Sequence, residues 1–220
     1  MQKKSNDTAM QDEFDYKNHK VMHTMNAEKR DALFDASMKE FSKGYAAANT
    51  DEIVATAGIA KGLLFHYFGS KKGLYQFLLH YALDTVNAEY DKVILESNDF
   101  LENIWKVSKL AADLMFRYPV LYGFLAMSYF SSDGVEDIPN ARPTEKLIQK
   151  IFKQSDKSLF RDDIDVEKAQ NLILWAMNGY VNSLSAYGSD IEKYQKSYDP
   201  IMQEFEEYLN ILRKIFYKQI

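Results

Sequence analysis

Residues 49–72 read NTDEIVATAGIAKGLLFHYFGSKK, and their spacing predicts two short helices around a tight turn. Asn49 offers an N-cap oxygen. Asn49-Thr50-Asp51-Glu52 has the form of a capping box, in which Glu52 reaches back to the cap backbone. Ile53, Val54 and Ala57 supply the buried face, and Gly58 stops the helix. Ile59 is placed to plug between the pair. A second helix is expected from about Lys61 to Tyr67, broken by Phe68-Gly69-Ser70. Ser70 then caps a further helix whose first turn carries Lys71 and Lys72. Lysines there oppose the helix dipole and need another reason to be present. A nearby phosphate backbone supplies one.

Working outward, Asn26 reads as an N-cap with Glu28 in the first turn of a helix to about Lys43. Leu33, Ser37 or Met38, and Phe41 form its inward stripe, and Gly44 follows at the left-handed position. Residues 1–25 show no sustained period and read as a flexible arm. His19 and His23 are four apart there but have no further ligands near, so no metal site is expected. Downstream, Lys71 to about Leu95 reads as one long helix, a lever with Leu74, Phe77, Leu78, Tyr81, Val86 and Tyr90 inward. Further helices are expected from Asn98 or Asp99 to Pro119, over 120–129, 143–154 and 166–187, and from Asp199 with Pro200 at its first position. No strand pattern competes. The fold class expected is all-α, about nine helices: a three-helix helix-turn-helix head over 26–86 (motif about 49–68) on a larger body over 87–220.

The chain has 220 residues, 46% hydrophobic and 27% charged, enough to bury a sizeable core. Four prolines and nine glycines suit long helices. With no cysteine, disulfides and thiolate metal sites are excluded. No apolar run approaches the roughly 20 residues that span a bilayer, and the polar N-terminus lacks a signal-peptide core. A cytoplasmic protein with no membrane partner is expected. The net charge of −5 argues against nucleic-acid binding by the whole surface. Its distribution points elsewhere: from Ile53 through Leu83 there is no Asp or Glu, while Lys61, His66, Lys71, Lys72 and His80 lie there. A confined phosphate-facing patch has this form; so does a mostly buried segment.

Two short helices joined by a glycine turn make a helix-turn-helix. Its second helix presents Lys61, Gly62, Leu63, His66 and Tyr67, a mix of donors, small surface and apolar contact suited to a major groove. The run Gly44-Tyr45, Asn49, Ile53, Ala57-Gly58-Ile59, Lys61-Gly62, Phe65-His66-Tyr67-Phe68 and Ser70-Lys71-Lys72-Gly73-Leu74 closely resembles the DNA-binding domain of the TetR family of bacterial transcriptional regulators. The resemblance covers about Asn26 to Thr85. It implies a homodimer whose recognition helices enter successive major grooves of a palindromic operator, and repression released by a small ligand bound in the body. By matching position it makes Lys61 to Tyr67 the reading surface and gives phosphate contacts to Tyr67, Lys71, Asn49 and Thr50. Two positions depart from the pattern. Ala60 stands where Ser or Thr caps the recognition helix, a loss of about 1 kcal/mol. Phe65 stands where Tyr is common; with Leu64 it reads as core rather than contact. Tyr67 reads either as a phosphate contact or as core with its hydroxyl at the rim.

In the body, the last two helices are strongly apolar. Pairing with a second copy into a four-helix bundle satisfies them, with Gly179, Leu184, Leu209, Leu212 and Phe216 at the seam; burial within one chain is the alternative. Trp105, Phe116, Tyr122, Met127, Tyr129, Trp175 and Tyr180 can line an apolar pocket for a small hydrophobic effector, or fill a core. A body that binds a partner protein instead is a second reading. An enzyme is not expected: there is no Gly-rich phosphate loop and no Ser elbow, and the carboxylates Asp162, Asp163 and Asp165 read as caps. No catalytic residue, cofactor or metal is expected.

Overall fold

The computed structural model describes residues 15–131, 144–183 and 191–219. Its α-helices are α1 (Lys20–Thr24), α2 (Ala27–Phe41), α3 (Thr50–Ala57), α4 (Lys61–Phe68), α5 (Lys71–Tyr90), α6 (Phe100–Arg117), α7 (Pro119–Ser131), α8 (Glu145–Gln154), α9 (Val166–Ser183) and α10 (Ile191–Phe216). Among the described residues the only extended pairing is a single bridge, Phe160 to Tyr217. Among the described residues the fold is all-α, with one helix more than the sequence predicts.

That extra helix is α1, and it corrects the expectation of a flexible arm for residues 15–25. A five-residue helix is unstable in isolation. Here Val21 is fully buried and Met25 nearly so, one turn apart, and both join the core of the head. Tertiary packing therefore holds a segment too short to show a period.

The head forms around Leu33, Phe34, Phe41, Ile53, Leu64, Leu74, Phe77 and Leu78, each 2% exposed or less. Burying such side chains contributes about 1.5–3 kcal/mol apiece. The side chains of Asn26, Asn49 and Ser70 accept from the backbone N–H of Lys29, Asp51 and Gly73. Ala60 caps α4 with no side-chain bond, as its methyl dictates. Gly58 ends α3 at φ 64°, a left-handed conformation that side chains disfavour. The capping box needs correcting. The Asn49 N–H donates to Glu40 Oε1 at 3.1 Å, not to Glu52. Glu40 projects from the end of α2, and Lys43 holds its other oxygen at 2.6 Å.

The body comprises α6 to α10. The chain bends by 110° between α6 and α7, at Tyr118-Pro119. A second correction concerns Pro200, which lies inside α10 rather than at its start. A mid-helix proline costs about 3 kcal/mol. Packing on both sides of it holds the helix continuous. Before it, the Tyr198 hydroxyl bonds Asp113 of α6. After it, Ile201 and Phe205 are buried. No single described helix is long and apolar enough to cross a membrane.

Among the described residues, α7 of the body packs against α2 and α5 of the head. The Tyr75 hydroxyl of α5 donates to Ser128 Oγ of α7 at 2.9 Å. Phe124 of α7 packs 5.5 Å from Tyr75 and 6.2 Å from Phe41 of α2, ring to ring.

Candidate nucleic-acid interface

Leu64 and Phe68, one turn apart, face the core and fix the orientation of α4. The 3.6-residue period then turns Lys61, Gly62, Phe65 and His66 outward, and all four are exposed. Leu63 and Tyr67 are half-buried at the rim. Three of the predicted reading residues thus share the outward face, with two at its edge. Phe65 is a correction: expected beside Leu64 in the core, it is 36% exposed on the face of Lys61. Once Leu64 and Phe68 are known to be inward, its position about 100° round the helix follows.

Lys61 and Lys71 are already partnered. Lys61 Nζ lies 2.7 Å from Asp51 Oδ1, with both side chains exposed, so engaging DNA means exchanging one anion for another. Lys71 Nζ donates to the Ala48 carbonyl at 2.6 Å and stands 4.8 Å over the Tyr45 ring. Lys71 therefore ties the start of α5 to the residue before the Asn49 cap, whatever else it touches. The Asn49 side chain serves that cap, Thr50 is half-buried at the first turn of α3, and Lys72 is exposed. Beneath them, the hydrogen bond from Lys43, ahead of the opposing effect of burial, holds the Glu40 carboxyl below the usual carboxylate range. An ionised Glu40 is what fastens the α2 end to the α3 start.

Sequence reasoning missed the arm. Lys20 Nζ donates to the His66 carbonyl and sits 5.5 Å over the Tyr67 ring. Thr24 Oγ1 and the Tyr67 hydroxyl are 3.0 Å apart. The His19 ring stacks on Phe68 at 5.3 Å, and burial, then the Lys20 charge, lowers its pKa. These contacts join residues more than 40 positions apart, which no local pattern reveals. Among the described residues no group of His, Asp and Glu is arranged to hold a metal ion.

The predicted ligand residues are not gathered together. Trp105 stacks on Phe205 at 5.6 Å and lines an open groove of about 380 Å³ with Glu102, Lys106, Lys109, Leu110 and Asp113. Trp175 is 66% exposed and Phe116 45%. Tyr122 is half-buried, and burial pushes the pKa of the neighbouring Tyr90 hydroxyl up to about 12. Met127 is half-buried. Tyr180 donates to the Ile201 carbonyl at 3.0 Å. The Tyr129 side chain lies outside the described residues. The residues expected at a seam between two copies lie in different surroundings. Leu209 is buried, and Leu212 and Phe216 pack on the chain's own core. Gly179 is exposed, and Leu184 lies outside the described residues. The outward apolar stripe is instead Leu172 and Trp175 of α9 with Tyr208, Ile211 and Ile215 of α10, each more than 40% exposed.

The family model described as bacterial regulatory proteins, tetR family, matches residues 33–77, from mid-α2 to mid-α5. A TetR family transcriptional regulator from Chloroflexus aurantiacus J-10-FL superposes with TM-score 0.63 at 18% identity, covering 91% of this chain and 98% of that one. The ketosteroid transcriptional regulator KstR2 of Mycobacterium tuberculosis gives TM-score 0.56 at 18% identity over 88% of this chain and 97% of its own. CprB, a TetR family protein from S. coelicolor A3(2), gives 0.53 at 21% identity over 81% and 98%. No curated protein matches the sequence. Proteins of this family are transcription regulators, not enzymes. The segment that carries α3, α4 and the start of α5 is thus similar to the head of tetR-family bacterial regulatory proteins, and the fold of the chain is that of TetR family transcriptional regulators.

Proposed function

We propose that the chain is a cytoplasmic repressor that binds a palindromic operator as a homodimer and is released by a small hydrophobic effector. The observation that carries the DNA half is the outward face of α4, where Lys61, Gly62, Phe65 and His66 stand together on a surface whose sequence holds no acid from Ile53 to Leu83. Lys61 and His66 donate to base edges or phosphates, Gly62 admits close approach, and Phe65 offers apolar contact. Tyr67, Lys71, Asn49 and Thr50 flank this face and take the backbone role. The exposed stripe on α9 and α10 supports pairing with a second copy, which places two heads about 34–36 Å apart for successive major grooves.

The effector half rests on the groove beside Trp105, whose volume suits a small molecule. Release requires that the effector favour a body conformation with wrongly spaced heads. The openness of the same groove supports a second reading, in which the body takes a segment of a partner protein.

Selection of bound sequences from random duplex DNA with the native chain tests the proposal. An inverted repeat with one helical turn between half-site centres is expected. An enriched single half-site overturns the dimeric operator, and no enrichment overturns sequence-specific reading altogether.

A further inference from the structure

Residues 16–24 touch two parts of the head at once. At one end the Tyr16 hydroxyl donates to Asp84 Oδ2 at 2.7 Å, and Lys17 Nζ lies 2.9 Å from the same oxygen. Asp84 is on α5, past the middle of the helix that joins head to body. Tyr16 also meets the α5 rings of Phe77 and Tyr81 edge-on at 5.9 and 6.0 Å. At the other end Lys20, Thr24 and His19 reach His66, Tyr67 and Phe68, three consecutive residues of α4. Between the ends, the fully buried Val21 anchors the segment in the core.

From this geometry we infer that residues 16–24 form a strut that fixes the recognition helix against α5, with Thr24, Lys20 and His19 as positioning residues for DNA reading. This rests on the reading of α4 as the recognition helix. The physical case is one of degrees of freedom. Helix α4 is short, lacks a side-chain N-cap at Ala60, and ends at Gly69. Its two buried anchors, Leu64 and Phe68, lie one turn apart on a single line along the helix. Those anchors resist translation but leave rotation about the helix axis weakly opposed. The strut supplies contacts off that axis. A cation on the His66 carbonyl satisfies a C-terminal acceptor of α4 and suits the negative end of its dipole. The Thr24 hydroxyl sets the direction in which the Tyr67 hydroxyl points. The flat stack of His19 on Phe68 opposes rolling of the inward face. Because the other end holds Asp84, a displacement of α5 is passed to the reading face by a second route.

The test uses the full chain, a duplex it selects from random DNA, and an unselected duplex of equal length. Thr24→Val removes the hydroxyl and keeps the shape; Thr24→Ser keeps the hydroxyl. The strut requires Thr24→Val to lower the ratio of selected to unselected affinity by roughly 3- to 10-fold, the worth of one hydrogen bond. The salt dependence of binding is to stay unchanged, because no cationic side chain is removed, and Thr24→Ser is to restore the ratio. A native preference unmoved in Thr24→Val overturns the strut. Equal loss on both duplexes also overturns it, because Thr24 then acts only through the backbone contact of Tyr67 and does not position the reading face. If the native chain selects no sequence, the reading of α4 fails first and takes the strut with it.

Discussion

Phe65 shows what one side chain decides. A phenyl ring 36% exposed beside Lys61 and His66 fits a groove edge that carries a methyl group. We expect Phe65→Ala to lose preference for thymine at one position of the selected duplex, by about fourfold, the worth of one buried methyl. Replacing that thymine by uracil is to weaken the native chain and leave the variant unaffected; equal weakening of both excludes Phe65 from the contact. Glu40 acts below the reading face. Its truncation to Ala leaves the Asn49 N–H without its acceptor, and a loss of about 1–3 kcal/mol in urea unfolding is expected. The sign with pH follows from its lowered pKa. Stability from Glu40 is in full above the unfolded-state value and is lost as pH falls through the lower folded one. Thermal unfolding from pH 7 downward is to show a smaller acid loss in Glu40→Gln than in the native chain. The caps at Asn26, Asn49 and Ser70 were legible because each acts within three residues of itself. The partner of the Asn49 N–H was not, since Glu52 sits nearer in sequence but Glu40 sits nearer in space.

At the scale of elements, the angle between α4 and α5 depends on Gly73. A Cβ there would collide with the Phe68 carbonyl oxygen, which is backbone and cannot swing aside. Gly73→Ala must therefore push α5 away from the end of α4, and we expect a cost of about 1–3 kcal/mol with loss of operator preference. Gly62 is the matched control, because nothing lies within 4 Å of a Cβ at that position. Gly62→Ala is expected to stabilise α4 by about 0.5–1 kcal/mol. A Gly73→Ala chain as stable as the native one rules out the clash as a constraint. Element boundaries followed the same division as the residues. Helices opened by a side-chain cap start where the sequence puts them, whereas α5 ends at Tyr90 rather than at about Leu95, and α2 at Phe41 rather than at about Lys43. Helix α10 does not start where expected, because Pro200 reads as a start only until Tyr198, Ile201 and Phe205 are seen to pack on both sides of it. Helix α1 escaped notice because its stability is entirely tertiary.

At the scale of the whole molecule, the proposed two-headed mechanism needs the body to move the heads, and two routes join body to head. One is α5. The other is the seam of Tyr75 and Phe41 against Phe124 and Ser128, which ties α7 directly to α2 and α5. Either route has an effect on DNA only if two heads are held together, so the exposed stripe decides the matter. Helix α10 carries apolar residues at two offsets: Leu209, Leu212 and Phe216 turn inward, while Tyr208, Ile211 and Ile215 turn outward. Sequence shows both sets and cannot say which is which, because the spacing is the same and only the neighbouring helices choose. With the inward set occupied by the chain's own core, the proposed pairing is left the outward set. Ile211→Glu with Ile215→Glu places charges on that face and leaves the core intact. We expect the mass in sedimentation to fall from two chains to one while the helical circular dichroism stays native. Affinity for an inverted repeat is to drop to that of an isolated half-site. Trp175, exposed in the single chain, is to show red-shifted emission in the variant relative to the native protein. A variant that remains a dimer moves the seam elsewhere on the body, and a native chain that sediments as a monomer removes the two-headed mechanism.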